Sequence, residues 1–192
     1  MSLQPEYQEF DALLADLSAA VLDLVDAGKS TPIVLMDGRA GSGKSTLADA
    51  LQRRLFKDGE TLPRVIHMDD LYPGWDGLSA GAEYLQRNIL GALESHKTAH
   101  WQLFDWAAGE RGEWREFSGG TPLIVEGCGS LNQRSASVAD ITVWLEVDQA
   151  VRYERWVKRE GSDKHRAAWA AQEEDFYARE RSSGLAQVKL QG

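Results

Sequence analysis

The sequence predicts a three-layer α/β/α fold built on a mostly parallel sheet of about five strands. Three observations carry that reading. The apolar run Pro32-Ile33-Val34-Leu35-Met36 ends in a glycine-rich turn, Gly38-Arg39-Ala40-Gly41-Ser42-Gly43, and an Ala/Leu-rich helical pattern starts directly after Lys44. Further along, short strand-like runs alternate with segments of helical period, a pattern that right-handed crossovers turn into a parallel sheet. The chain has 192 residues with 43% hydrophobic content, enough for one sizeable core and too little for two ordinary domains.

The elements follow in order. Residues 7–27 set Phe10, Leu13, Leu14, Leu17, Val21, Leu24 and Val25 at helical spacing and stop at Gly28, which reads as a packing helix. A strand over 33–36, the glycine-rich turn and a helix over 45–56 come next. A turn at Asp58-Gly59 leads to a second strand over 64–68. After a loop rich in Gly and Trp, a helix over 82–93 precedes an irregular stretch. Strands over 123–125 and 141–147, helices over 149–158 and 167–179, and a short strand over 186–190 complete the count. In such a sheet, ligands gather at the C-terminal ends of the strands.

Residues 38–46 fill every fixed position of G-x-x-x-x-G-K-[ST], the phosphate-binding P-loop, which makes the expected architecture a P-loop NTPase fold. Gly38, Arg39, Ala40, Gly41, Ser42, Gly43, Lys44, Ser45 and Thr46 are thus the candidate ATP-binding residues. The glycines let backbone N–H groups turn inward around phosphates, and the following helix aims its positive end at the same charge. Lys44 adds a full cation. Ser45 offers a hydroxyl to Mg²⁺, a hard ion that bridges protein and phosphate oxygens, and Thr46 should stay close to the phosphates.

Acidic residues outnumber basic ones 30 to 21. A broad cationic surface for nucleic acid or an anionic membrane is therefore not expected, and positive charge must concentrate where phosphates sit. The expected partners are ATP and a small-molecule acceptor; oligomeric state is left open. Cys128 is the only cysteine, no charged-then-apolar signal opens the chain, and no apolar run approaches the ~20 residues that span a bilayer. A reducing cytoplasm fits these features. Cys128 reads as a small packing residue, since no histidine lies near it in sequence.

Carboxylates follow two strands: Asp69-Asp70 after the second, Glu126 after the third. Phosphoryl transfer needs one carboxylate to accept the acceptor's proton and another to help hold Mg²⁺, so Asp69 is the candidate catalytic base and Glu126 the metal partner of Ser45. The alternative is that Asp69-Asp70 caps the next segment and Glu126 lines a turn. Seven Trp is a heavy loading, with Trp75, Trp101, Trp106 and Trp114 in or near the segment 69–111. Flat rings suit base stacking, although Trp101 and Trp114 also suit a core; Trp144, Trp156 and Trp169 read as core. Arg152, Arg155, Lys158, Arg159, Lys164 and Arg166 form a basic run broken by Gly161-Ser162-Asp163. It reads as a lid over 158–170 that brings Arg159 and Arg166 onto the transferring phosphoryl group; the alternative is a solvated face partly neutralised by Glu154 and Glu160.

On these residues the chain resembles the uridine kinase and phosphoribulokinase family of P-loop kinases. Asp69-Asp70-Leu71-Tyr72 is similar to the family's Asp-x-[Phe/Leu]-Tyr segment, which implies that Asp69 is the base and Tyr72 an acceptor contact. Trp75-Asp76 falls where uridine kinases place an aromatic-Asp pair, implying that Asp76 binds ribose hydroxyls. Phe104-Asp105-Trp106 looks like the Tyr-Asp-Phe segment that stacks on the acceptor base, with Arg111 matching a downstream Arg, and Glu126-Gly127 is similar to the family's Glu-Gly. Gly109 stands where uridine kinases have a pyrimidine-reading His, and the loop between Tyr72 and Trp75 is shorter than the family's hairpin. The resemblance implies ATP-dependent transfer to a small acceptor hydroxyl, a nucleoside first. Another metabolite kinase and a non-catalytic ATP-binding regulatory module are the alternatives.

Overall fold

A computed structural model describes residues 3–4, 6–59 and 61–192. The described elements are β1 (Glu6–Tyr7), α1 (Phe10–Asp26), β2 (Ile33–Asp37), α2 (Lys44–Lys57), β3 (Arg64–His67), α3 (Leu78–Leu85), α4 (Gly91–Glu94), β4 (Ala99–Asp105), β5 (Glu110–Phe117), β6 (Leu123–Glu126), α5 (Gln133–Ala136), β7 (Ile141–Glu146), α6 (Gln149–Glu160), α7 (Arg166–Glu180), α8 (Ser182–Leu185) and β8 (Val188–Gln191). A 3₁₀ turn, Met68–Asp70, follows β3, and a π-helical turn, Gln86–Leu90, joins α3 to α4.

Six strands form one parallel sheet in the order β1-β8-β7-β2-β6-β3. The sequence pattern yields five of them. The sixth, β1, is two residues long and pairs Glu6 with Lys189 and Tyr7 with Leu190, too short to leave a periodic signal. The stretch expected to be irregular is instead an antiparallel hairpin of β4 and β5. Charged residues dominate β5, most of which faces solvent, so the alternation that marks a half-buried strand is missing there. Trp101 and Phe117 at the base of the hairpin are nonetheless buried.

Both faces of the sheet are covered, as a parallel sheet requires. Along β2, Ile33 and Leu35 point to one side and join Ile66, Val125 and Trp144 against Leu78 and Leu85 of α3 and Trp169 and Phe176 of α7. Val34 and Met36 point to the other and meet Leu13, Leu17 and Val21 of α1 and Leu47, Leu51 and Leu55 of α2. All five residues of β2 are buried, which fixes its place at the centre. Its neighbours β6 and β7 lie on opposite sides, so the chain crossing from β2 opens a crevice at the strands' C-terminal ends. Among the described residues, no helix is long and apolar enough to cross a membrane.

The exit of β6 has no room for a side chain. Gly127 has a φ of +138°, and an added Cβ would stand 2.3 Å from the Met68 Cβ. Gly127→Ala should therefore lower the free energy of unfolding by about 2–4 kcal/mol, whereas Gly120→Ala, at φ +88° in open space, should cost only the backbone strain of about 1 kcal/mol. Urea denaturation of both variants measures the difference; equal losses would remove the clash as a constraint.

Candidate active site

The loop between β2 and α2 is wound tightly. Gly38, Gly41 and Gly43 have φ values of +148°, +83° and +98°. A Cβ on Gly38 would come within 2.4 Å of the Leu145 carbonyl oxygen, and one on Gly41 within 2.5 Å of that of Arg152. The loop therefore threads between the end of β7 and the start of α6 in a backbone shape only glycine adopts at low cost. Lys44 Nζ folds back onto it, donating to Gly38 O at 2.7 Å and Arg39 O at 3.2 Å. Burial disfavours the Lys44 ammonium, but the neighbouring carboxylates Glu126, Asp37 and Glu173 more than offset this and raise its pKa.

Two buried carboxylates anchor the loop from behind. Asp37 Oδ1 accepts from Gly38 N at 2.6 Å, Tyr177 Oη at 2.7 Å and Gly129 N at 3.2 Å, and Oδ2 accepts from Leu131 N at 2.8 Å. Burial raises its pKa to about 6, against the pull of Lys44 and these donors. Glu173, in the middle of α7 and fully buried, accepts from Ala40 N at 2.6 Å and from the Cys128 thiol at 3.3 Å. Sequence reasoning missed both residues. A carboxylate closing an otherwise apolar central strand was the available signal for Asp37; Glu173 looks like any charge on a helix. Cys128 packs behind the loop, its thiol held neutral because burial pushes its pKa well above the usual range.

In front of the loop stand Asp69, Glu126 and His67. Glu126 Oε1 accepts from Ser45 Oγ at 3.0 Å and lies 2.7 Å from His67 Nδ1, an interaction that raises the His67 pKa. Burial, then Glu126, raises the Asp69 pKa, while Arg159 and Lys44 lower it. Asp70 follows in the 3₁₀ turn rather than in a strand; the groups that stabilise its charge are His67 and Arg115, not Lys44.

Asp69 and Glu126, with Lys44 opposite them, line a cavity of about 660 Å³; His67 and Asp70 do not reach it. Of the residues singled out from the sequence it gathers Ala40, Gly41, Gly43, Lys44, Ser45, Thr46, Asp69, Tyr72, Trp106, Glu126 and Arg159. Partial desolvation opposes the Arg159 charge, but Glu160, which accepts from its Nε at 2.7 Å, and Asp69 outweigh it and raise the pKa. Arg155, passed over in the basic run, also lines the cavity and donates to Gly41 O at 3.1 Å. Trp156 and Trp169, expected to be plain core, are buried yet form the cavity wall with Trp75 and Trp106. Trp75 sits 5.1 Å from Trp106 and 5.9 Å from Trp156, centroid to centroid, and stacks on His165 at 4.4 Å.

Other expected residues lie elsewhere. Gly38, Arg39 and Ser42 belong to the loop's own framework, and Asp76 is exposed outside the cavity. Phe104 stands behind Trp106, edge to face at 5.4 Å. Arg111 is committed to structure: it donates to Leu71 O and Gln102 O and covers the Tyr84 ring at 3.7 Å, tying the hairpin to the turn after β3. Trp106 Nε1 adds a second tie to Asp69 O at 2.9 Å. Arg166 is buried with its guanidinium 5.6 Å from the Trp156 ring, because α7 begins there and turns it inward. Tyr72, although it lines the cavity, is buried and spends its hydroxyl on Cys128 O at 2.7 Å. Trp101 is core, whereas Trp114 is exposed on the hairpin.

A six-stranded parallel sheet with a P-loop at its central crevice defines a P-loop protein of kinase-like architecture. Residues 34–179 match the AAA_18 family model, described as an AAA domain, and the chain belongs to that family. No curated protein matches it significantly. Among solved structures it is similar to a candidate fructose transport system kinase from Silicibacter sp. TM1040, with 27% identity, TM-score 0.66, and 93% of this chain and 98% of that one covered. It is also similar in fold to a possible uridine kinase from Bacillus stearothermophilus, with 17% identity, TM-score 0.62, and 91% and 99% covered. A candidate P-loop kinase with a circular permutation from Saccharomyces cerevisiae shares the fold at 12% identity and TM-score 0.55, with 93% and 99% covered.

Asp37 generates a pH prediction. Its folded pKa of about 6 lies above that of a free carboxyl, so the folded state holds this proton more tightly. The contribution is present below the unfolded pKa and is lost as pH rises through the folded one. Relative to Asp37→Asn, the wild type should therefore lose about 1–3 kcal/mol of stability between roughly pH 4 and pH 7. Urea denaturation of both proteins at the two pH values measures it, and parallel profiles would contradict the assignment.

Proposed function

We propose that this protein is a kinase that transfers the γ-phosphoryl group of ATP to a hydroxyl of a small acceptor. The observation that carries the reading is the meeting of a P-loop cation, a pair of carboxylates and an α6 guanidinium around one cavity: Lys44, Asp69 with the buried Glu126, and Arg159. The residues present suit the nucleotide and its metal. The glycine cradle leaves no volume for side chains on its inner turn, and Ser45 Oγ and Glu126 Oε1, 3.0 Å apart, are the hard oxygen donors Mg²⁺ prefers. When bound, Mg·ATP supplies the phosphoryl group and charge neutralisation between its oxygens.

The chain's own groups divide the remaining work. Lys44 exchanges its carbonyl partners for phosphate oxygens, a stronger charge-assisted pairing. Asp69 accepts the acceptor's proton; its raised pKa brings it nearer the range in which a base works at neutral pH. Arg159 balances charge on the transferring group, and Arg155 steadies Gly41. The segment 158–170, hinged at Gly161 where φ is +70°, serves as the lid that excludes water. Arg166, buried and not among the residues that line the cavity, packs behind Trp156 and supports that wall rather than meeting the phosphate. A regulatory ATP-binding module needs neither a positioned base nor an aromatic acceptor wall, so transfer is the better reading.

For the acceptor, a nucleoside is supported by the family resemblance and by flat rings beside Asp69. A sugar or polyol is the second reading, and specific observations favour it. Asp76 and Arg111, the polar readers a nucleoside would meet, are outside the cavity, while the wall is made of indoles, and the buried Trp156 and Trp169 Nε1 groups have no partners among the described residues. Sugar C–H faces stack on indoles and hydroxyl oxygens accept from their N–H groups. The 27%-identical neighbour is itself described as a fructose transport system kinase candidate. Acceptor-dependent ADP release across nucleosides, nucleotides and sugars decides between them.

Asp69→Asn should lower kcat by about 10²-fold or more with Mg·ATP affinity retained, and should abolish the acid limb of the kcat profile that reports the raised Asp69 pKa. Asp70→Asn should stay near wild type. Full activity in Asp69→Asn would remove the base. Lys44→Ala should weaken Mg·ATP binding in calorimetry by about tenfold or more, the scale of one lost charge-assisted contact; unchanged affinity would take the P-loop out of the reading.

A further inference from the structure

On the far side of α7 lies a second cavity of about 460 Å³, bordered also by α3, the π-helical turn and the start of α5. Arg87, Arg134 and Arg179 converge on it. In a chain of net charge −9, three guanidiniums around one crevice are a local excess of positive charge, even with Glu83 and Glu180 beside them. Arg179 is spent, pairing with Glu180 at 3.0 Å and reaching Ser79 Oγ at 3.4 Å. The guanidiniums of Arg87 and Arg134 have no ion-pair or hydrogen-bond partner among the described residues. Gln86 supplies the second, independent observation. It lines the same cavity, is only 7% exposed, and its Oε1 is buried without a partner. An unpaired buried amide oxygen costs about 1–3 kcal/mol, a cost that a ligand donor would relieve.

We propose that this cavity binds a small, singly phosphorylated, hydroxyl-bearing metabolite, with its phosphate on Arg87 and Arg134 and a hydroxyl donating to the Gln86 carboxamide. Guanidiniums match phosphate oxygens in forked geometry, and the volume falls within the range of small-molecule sites. Glu83 and Glu180, which line the same cavity, repel a second or third phosphate, which sets this ligand apart from a nucleoside triphosphate. The proposal stands independently of the phosphotransfer reading, since it shares no lining residue with the first cavity.

Calorimetric titration with fructose 6-phosphate and with inorganic phosphate tests it on the wild type, Lys44→Ala, Gln86→Leu and the double variant Arg87→Ser/Arg134→Ser. The two arginines are exposed, so the double variant should fold, which its melting temperature checks. Fructose 6-phosphate should bind the wild type and Lys44→Ala alike, and the double variant about tenfold or more weaker. Gln86→Leu should weaken fructose 6-phosphate while leaving inorganic phosphate unchanged, because only the sugar extends hydroxyls beyond the phosphate held by the arginines. Loss of binding in Lys44→Ala with retention in the double variant would place the phosphate in the P-loop and overturn the proposal. So would equal affinity in all four proteins, or no binding of either probe up to about 10 mM.

Discussion

Asp37 puts a carboxylate with no solvent exposure at the end of the central strand, and the surrounding chain is arranged to make that tolerable. An isolated charge there would cost several kcal/mol, so the group needs donors on every side. It receives them from the first residue of the P-loop, from two amides of the segment after β6, and from the Tyr177 hydroxyl on α7. One side chain thereby fixes three separate segments to a single point. Glu173 repeats the device one helical turn away, gripping Ala40 N. The P-loop is thus held from the side opposite its phosphate-facing surface, which leaves that surface open.

The same arrangement sets the electrostatics of the cavity. Lys44 stands among acidic groups that favour its charged form, although it is buried. The carboxylates in front of it differ in environment. Glu126 is occupied by Ser45 and His67, whereas Asp69 is raised by burial and by Glu126 itself. Two acids at neighbouring strand ends with different surroundings can serve different roles, and strand order makes them neighbours: β3 and β6 pair directly, His67 opposite Glu126.

The acceptor side is built differently, from rings and from a hairpin folded over the turn after β3. Trp106 and Arg111 spend their polar atoms on backbone carbonyls of Asp69 and Leu71, so they position the turn that carries Asp69. A substitution in the hairpin would therefore act on the carboxylate through the backbone. The indole wall beyond it, from Trp75 to Trp156 and Trp169, joins the hairpin side of the cavity to α6 and α7.

The sequence by itself determined the parallel α/β layering and the P-loop, because both are local: a period of two or 3.6 residues, and nine consecutive residues whose backbone needs glycine at set places. It also determined that carboxylates would follow the strands entering the site, since strand ends face one crevice whatever the details. What only the tertiary structure decided is which distant side chains meet there. Nothing in the local pattern around Glu173 or Arg155 separates them from other charges on a solvated helix, and their partners Ala40 and Gly41 lie more than a hundred residues away. Arg111 and Arg166 carry the right chemistry for a ligand, yet packing commits one to carbonyls and a tyrosine ring and turns the other against an indole. A charged side chain's role depends on what neutralises it, and that neighbour is supplied by the fold rather than by adjacent residues.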